Sequence, residues 1–175
     1  MDTHHAFMVA FAFGCAPLED RIELFDVEWC ADARLEPAAY IVDGDTFDLA
    51  TCAETNAVDS ERVRMLGVDA PELAHGDEPA DCYGAEASDY LAEVLHGRTL
   101  RLEFDEECEG NFGRTLAWIF IDVEADDPLA EHLMTLDDFG MQEDGSFEVL
   151  VNELVIRAGY ARLYSDIGEG RYDRR

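Results

Sequence analysis

The stretch Val63-Arg64-Met65-Leu66-Gly67-Val68-Asp69-Ala70-Pro71-Glu72 carries a strand and, at its end, a set of charged groups. Side chains alternate across a strand, so Arg62 to Val68 places Val63 and Met65 on one face and Arg64 and Leu66 on the other. Pro71 ends the strand because it has no N–H to give to a ladder. Arg64, Asp69 and Glu72 can then project toward one point. Taken alone, the same residues also describe a turn with a surface ion pair, so their neighbours decide.

Upstream, Tyr40 and Val42 precede Asp43-Gly44, and Phe47 and Leu49 follow with period 2, which reads as a hairpin around an Asp-Gly turn. Asp45 and Thr46 leave that turn. Residues 51–60 form a polar loop. Downstream, the acidic loop Ala74 to Asp81 leads into Gly84–Leu95, where Ala87, Tyr90, Leu91, Val94 and Leu95 fall at helical spacing before Gly97.

Arg98 to Phe104 alternates as a half-buried strand, Asp105 to Gly113 is a polar loop, and Leu116 to Ile121, apolar throughout, belongs inside a sheet. Asp122 to Asp144 reads as an acidic insertion with a helix over Leu129–Leu136. Ser146 to Val151 is a further strand. Val151, Leu154, Val155 and Ala158 mark a short helix closed by Gly159, and Arg21 to Trp29 is an extra strand near the start.

The expected fold is mainly β (α+β): a five-stranded barrel of the OB type with two or three helices. Periodicity alone leaves several arrangements open. The expected layout is an N-terminal extension over 1–35, one domain over 36–165 with its insertion at 122–144, and a charged tail over 166–175. A chain of 175 residues, 48% hydrophobic, can bury one good-sized core and gives no sign of two.

Charge is the unusual feature. Asp plus Glu number 41 against 12 basic residues, for a net charge of -29, and every basic residue is Arg. Ordinary apolar content and clear periodicity argue against disorder. At low salt such a surface repels nucleic acid. At about 1 M salt the Debye length falls to about 3 Å, and only near-contact charges matter. Uniform acidity without Lys resembles proteins of halophiles, so a high-salt setting is expected.

Cys15, Cys30, Cys52, Cys82 and Cys108 show no CxxC spacing, which argues against zinc. His4, His5, His75, His96 and His132 share no ligand spacing and are expected to bind no ion. Ala6 to Gly14 is a short apolar run ending at Cys15, long enough for a signal h-region with a lipid-modified Cys, and equally readable as a buried strand or a misplaced start. Its flank contains Asp2 and no positive charge. A secreted or cell-surface location, with Cys15 as an anchor, is expected over a cytoplasmic one, and no stretch is long enough to span a membrane.

Cutting a phosphodiester requires charge stabilisation at phosphorus, an activated water, and an ion or donor on the non-bridging oxygens. Arg64, Glu72 and a metal-bound Asp69 would supply one each. Asp45 brings a second carboxylate. Two carboxylates with a backbone carbonyl and several waters make a hard oxygen site suited to Ca²⁺, with Asp45, Asp69 and the carbonyl of Ala70 as candidates. In Asn111 to Trp118, Gly113 permits a sharp turn and Arg114 stands at the mouth of the buried strand.

The motifs DGDT (Asp43 to Thr46), RMLGVDAPE (Arg64 to Glu72), YGAEA (Tyr83 to Ala87), FGRTLAW (Phe112 to Trp118) and VNELVIRAGYA (Val151 to Ala161), in that order, resemble staphylococcal-nuclease-like proteins. The resemblance covers about Glu36 to Tyr164. It implies an OB barrel, a Ca²⁺ held by Asp45 and Asp69, Glu72 activating or orienting water, and Arg64 and Arg114 gripping phosphate. Arginine's fork suits phosphate oxygens on its own account.

The implied activity is a monomeric endonuclease cutting DNA and RNA where they are single-stranded or frayed. The alternative is a binding module on the same barrel. Thr46, Tyr83, Phe112, Tyr160 and Tyr164 are the expected substrate contacts, the tyrosines by stacking on bases. Gly110, Asn111 and Phe112 depart from the family's usual Asp, basic residue and Tyr. Family members usually continue into a C-terminal helix, whereas this sequence ends on Arg171 to Arg175. A Cys82–Cys108 bridge, with Cys52 as the alternative partner, is expected to brace the site.

Overall fold

The computed structural model of the chain describes residues 31–49, 61–76, 79–136 and 139–164. The strand expected at Arg21 to Trp29, the Ala6 to Cys15 run, the loop 51–60 and the tail 166–175 lie outside the described residues.

Five strands close on themselves. β1 (Arg34–Ile41) pairs antiparallel with β2 (Thr46–Leu49) on one side and β5 (Thr99–Glu103) on the other. β2 pairs with β3 (Arg62–Met65), and β5 with β6 (Thr115–Val123), both antiparallel. The circuit closes through a parallel pairing of β3 with β6, in which Val63 faces Thr115 and Arg64 faces Leu116. This is the expected OB-type barrel, with no free edge among the five strands. β7 (Phe147–Leu150) adds to β6 from outside, and a separate ribbon joins β4 (Val68–Asp69) to β8 (Arg162–Leu163).

The expected single strand over Arg62–Val68 is two, β3 and β4, because Gly67 takes the left-handed conformation at φ 71° and turns the chain. The period-2 reading survives: Val63 and Met65 are buried in the barrel with Phe47, Leu49, Leu100, Leu102, Ile119 and Ile121. One end of that core is capped by α1 (Gly84–Leu95), through Leu91, Val94 and Leu95, and by α3 (Val151–Arg157), through Leu154 and Val155. Buried Asn152 on α3 serves backbone groups where β3 and β6 part. It accepts from the Ile119 N–H at 2.8 Å and donates to the carbonyls of Leu66 at 2.8 Å and Ala117 at 3.3 Å.

The acidic stretch after β6 is no loose appendage, since Ala130 and Leu133 of α2 (Pro128–Leu133) are buried in the core. This helix is shorter than the expected Leu129–Leu136. Asp127 starts it, accepting from the Leu129 N–H at 2.8 Å, with Pro128 pre-set for the first turn. Arg98 adds a two-pronged bond to the same carboxylate at 2.6 and 2.8 Å. Cys108 is disulfide-bonded whereas Cys82 is a free, exposed thiol, so the expected Cys82–Cys108 bridge does not form.

Arg98's hydrogen bonds hold the Asp127 carboxyl below the ordinary range, helped by the Leu129 N–H and opposed by burial. A depressed folded-state pKa contributes stability that is present above the unfolded value, near 4 for Asp, and lost as pH falls through the folded value. Asp127→Ala is therefore expected to cost about 1–2 kcal/mol near neutral pH. Urea unfolding of both proteins across pH checks this, and the gap should shrink in acid; a gap unchanged by pH contradicts the assignment.

Candidate active site

The hairpin turn, the β3–β4 corner and the start of β6 meet at one end of the barrel, and Asp45 is the buried centre of that meeting. Its side chain is 1% exposed. Oδ1 accepts from Arg64 Nη1 and from Thr46 Oγ1, the latter at 2.9 Å, and Oδ2 accepts from the Ala70 N–H at 2.8 Å. The Asp45 carbonyl takes the Met65 N–H at 2.9 Å. Burial pushes this carboxyl up to about 7, with Asp43 adding to the rise and Arg64 and the Ala70 N–H pulling it back.

Arg64 reaches on from Asp45 to the Val68 carbonyl at 3.1 Å, and its Nη2 lies 4.0 Å from Asp69 Oδ1. Asp69 takes a second guanidinium on its other oxygen, from Arg162 Nε at 2.6 Å. The β4–β8 ribbon sets that pair by placing Asp69 directly opposite Arg162.

Glu72 is the exposed member of the set, and its backbone is fixed from both directions. Its carbonyl accepts from the Asp81 N–H at 2.9 Å, and its own N–H donates to Asp81 Oδ2 at 3.3 Å. Partial burial raises its pKa first of all, Asp43 and Asp69 raise it further, and Arg64 and Arg114 lower it. Four charged groups from three separated segments thus act on one carboxyl.

Small residues allow this approach. A Cβ on Gly44 would stand 2.7 Å from the Cβ atoms of both Ala70 and Ala87, and one on Gly84 would stand 2.4 Å from the Glu72 carbonyl oxygen. The small positions of the DGDT, DAPE and YGAEA motifs are therefore one packing contact between the hairpin turn, the corner and the first turn of α1.

Arg114 stands where β6 begins, after a short 3₁₀ turn over Asn111–Gly113. Its Nε donates to the Asn111 carbonyl at 3.1 Å, its guanidinium lies 5.8 Å from the Phe112 ring centre, and no carboxylate pairs with it among the described residues. Phe112 is 95% exposed at φ 65°, and Tyr83 at the start of α1 is also exposed at φ 68°. They are the two non-glycine residues with positive φ among those described, a conformation bulky side chains seldom adopt.

Sequence reasoning placed Asp45, Arg64, Asp69, Ala70, Glu72 and Arg114 in one site, and the structure brings them together. The expected substrate contacts divide. Thr46 is buried and spends its hydroxyl on Asp45. Tyr160 stacks on Tyr90 at 4.2 Å between ring centres, tying the chain after α3 to α1. Tyr164 is partly exposed beside the corner, its N–H on the Gly67 carbonyl at 3.0 Å. Three members were not anticipated: Asp43, which bears on both Asp45 and Glu72; Asp81, which grips Glu72; and Arg162. The DGDT motif held a signal for Asp43. Nothing local links Arg162 to a residue 93 positions away.

The donors at the corner are carboxylate oxygens with no thiolate or imidazole among them, which suits a hard cation. Burial lifts Asp45 and Glu72 first, and repulsion from Asp43, with Asp69 adding to it at Glu72, lifts them further; a divalent cation would offset both effects. No group of three His, Cys, Asp or Glu side chains able to hold a metal occurs among the described residues, so a cation here would complete its shell with carbonyl, water or phosphate oxygens.

Fold and site define an OB-type barrel with an arginine- and carboxylate-lined corner outside strand β3. Residues 62–174 match the family model of staphylococcal nuclease homologues, and the chain belongs to that family. It is 36% identical over 81 residues to the thermonuclease of Staphylococcus intermedius, covering 46% of this chain and 45% of that one. The thermonuclease of Staphylococcus hyicus is 34% identical over 84 residues, 48% of this chain and 47% of its own. Endonuclease YncB of Bacillus subtilis is 32% identical over 82 residues, 46% and 36% respectively. The matches thus span under half the length of these relatives.

Gly84→Ala places a methyl against the Glu72 backbone, which cannot swing aside as a side chain would. The expected cost is about 1–3 kcal/mol of stability, with a displaced Glu72. Thermal melts and the chemical shifts of residues around Glu72 report on this; a variant with wild-type melting and unshifted resonances contradicts the packing argument.

Proposed function

We propose that this protein hydrolyses phosphodiester bonds of single-stranded or frayed DNA and RNA, with Ca²⁺ and in high salt. The observation that carries the reading is the convergence of Asp43, Arg64, Asp69 and Arg114 on the exposed carboxylate of Glu72. The relatives named thermonuclease and endonuclease support it.

In this mechanism Arg64 and Arg114 hold the non-bridging oxygens of the scissile phosphate through charge-assisted hydrogen bonds. Glu72 orients a water in line with the leaving oxygen and accepts its proton as the new P–O bond forms and the ester P–O bond breaks. Asp81 and Gly84 keep Glu72 in place. Asp45, Asp69 and the Ala70 carbonyl would hold Ca²⁺, which supplies positive charge to the phosphate when bound. Phe112 and Tyr83 offer exposed ring faces to neighbouring bases.

The rest of the surface is read as salt-adapted and soluble as a monomer. A secreted or surface location belongs to the same reading. Among the described residues no helix is long and apolar enough to cross a membrane.

Purified protein is expected to degrade heat-denatured DNA in molar salt with Ca²⁺ and to stop on chelation. Glu72→Gln, Arg64→Ala and Arg114→Ala are each expected to lose about 10²-fold or more in kcat, with circular dichroism unchanged for Glu72→Gln and Arg114→Ala. Binding of single strands with no cleavage at any salt would overturn the enzyme reading in favour of a binding module. The fold itself is expected to melt at lower temperature as salt is withdrawn, since self-repulsion of a chain carrying -29 is then unscreened; equal melting points at low and molar salt would contradict the salt adaptation.

A further inference from the structure

We propose that Arg162 is a third phosphate-binding arginine, which takes the backbone phosphate next to the scissile one, so that the site reads a polynucleotide strand and not a single ester. This rests on the nuclease reading above.

The distribution of arginines is the first ground. Most of those in the described residues are neutralised within the fold: Arg34 by Glu61, Arg62 by Asp48, Arg98 by Asp127, Arg101 by Glu103 and Glu148, and Arg157 by Glu153. The other three cluster at the corner: Arg64 is paired with Asp45, Arg162 with Asp69 through one nitrogen, and Arg114 with no carboxylate among the described residues. On so acidic a protein a polyanion can be held only where guanidinium groups with nitrogens still open lie close together.

Geometry is the second ground. The β4–β8 pairing sets Arg162 against Asp69, where Nε is anchored at 2.6 Å while the side chain stays 83% exposed. That one bond orients the guanidinium plane, and its terminal nitrogens have no partner among the described residues. A fork held at its base and open at its tip suits phosphate oxygens. Arg64 approaches the other Asp69 oxygen, at 4.0 Å, so the two guanidinium groups flank this carboxylate. A phosphate gripped by Arg64 and Arg114 leaves Arg162 beyond Asp69, in position for the next phosphate. Tyr164, the residue just past β8, presents a partly exposed ring and donates its N–H to the Gly67 carbonyl of the same corner.

A pair that only steadied Asp69 would affect the cation and leave the electrostatics of strand binding untouched, and this separates the two roles. Binding of a fluorescent single-stranded oligonucleotide is measured with Ca²⁺ in the non-cleaving Glu72→Gln protein, alone and with Arg162→Gln or Arg162→Lys added. The titration runs over the range of salt in which circular dichroism shows the fold intact. Each lost phosphate contact on a single strand lowers the slope of log affinity against log salt by about 0.7. Arg162→Gln is expected to show that drop together with about a tenfold weaker affinity at the lowest salt, and Arg162→Lys to keep the slope.

An unchanged slope for Arg162→Gln overturns the proposal whether or not affinity falls, and calorimetric Ca²⁺ titration of the same protein then shows whether the residue acts through Asp69. If Glu72→Gln itself binds no oligonucleotide, the nuclease reading falls and takes the role of Arg162 with it; binding with an untouched slope removes Arg162 alone.

Discussion

The parallel pairing of β3 with β6 is the constraint on which the site depends. Four of the five barrel contacts are antiparallel and join strands in ways that hairpins or long returns allow, but this one joins the middle of the chain to a strand that begins about fifty positions later. It aligns Arg64 with Leu116 and so brings Arg114, two residues earlier, to the same end of the barrel. Where the ladder stops, Asn152 takes the Leu66 carbonyl and the Ile119 N–H, and adds a second donor to the Ala117 carbonyl that the Leu66 N–H already meets, so α3 locks the closure. An unsatisfied buried backbone group costs about 1–3 kcal/mol, which makes a single asparagine a large part of what holds the two arginines in register.

Within that frame Asp45 acts as an internal tie. A carboxylate buried this deeply is expensive unless it is fully hydrogen-bonded, and here a guanidinium, a hydroxyl and a backbone N–H share it. Those donors come from β2, β3 and the residue after β4, so satisfying one charge also positions three segments. The close contact of Gly44 with Ala70 and Ala87, and of Gly84 with Glu72, extends the same logic to the backbone. Rigid placement of the charged groups is what electrostatic catalysis requires.

Acidity and the proposed phosphate chemistry are reconciled by where the few arginines go. Those remote from the corner are matched to carboxylates, Arg62 and Arg98 with two-pronged geometry, and contribute to the fold. Those at the corner are stacked on a ring, anchored by one bond or poised between carboxylates. Short-range contact at the corner can then hold a phosphate even where the long-range field of the surface opposes it, provided salt screens that field.

The barrel was legible in the sequence because its strands alternate and its turns are marked: the Asp43-Gly44 hairpin, the Val63/Met65 face and the α1 stripe are all local signals read from a few residues. Local reading went astray where one residue's backbone or a distant partner decided. Gly67 splits a strand that periodicity runs together, and α2 ends earlier than its apolar spacing suggests. Cys82 and Cys108 look paired in the sequence and are not.

Of the site, Asp45, Arg64, Asp69, Glu72 and Arg114 could be named because each sits in a dense motif whose residue types already suggest phosphate chemistry. Arg162 could not, since its partner lies far away along the chain, and neither could Asp81 nor the service of Thr46 to Asp45, since the backbone conformation decides which neighbouring group those side chains meet. Sequence alone determined which residues alternate, turn and carry charge, because those properties belong to neighbours along the chain. Tertiary structure decided which charges meet, because strand pairing and the closeness of small residues bring together groups that the chain keeps as many as 93 positions apart.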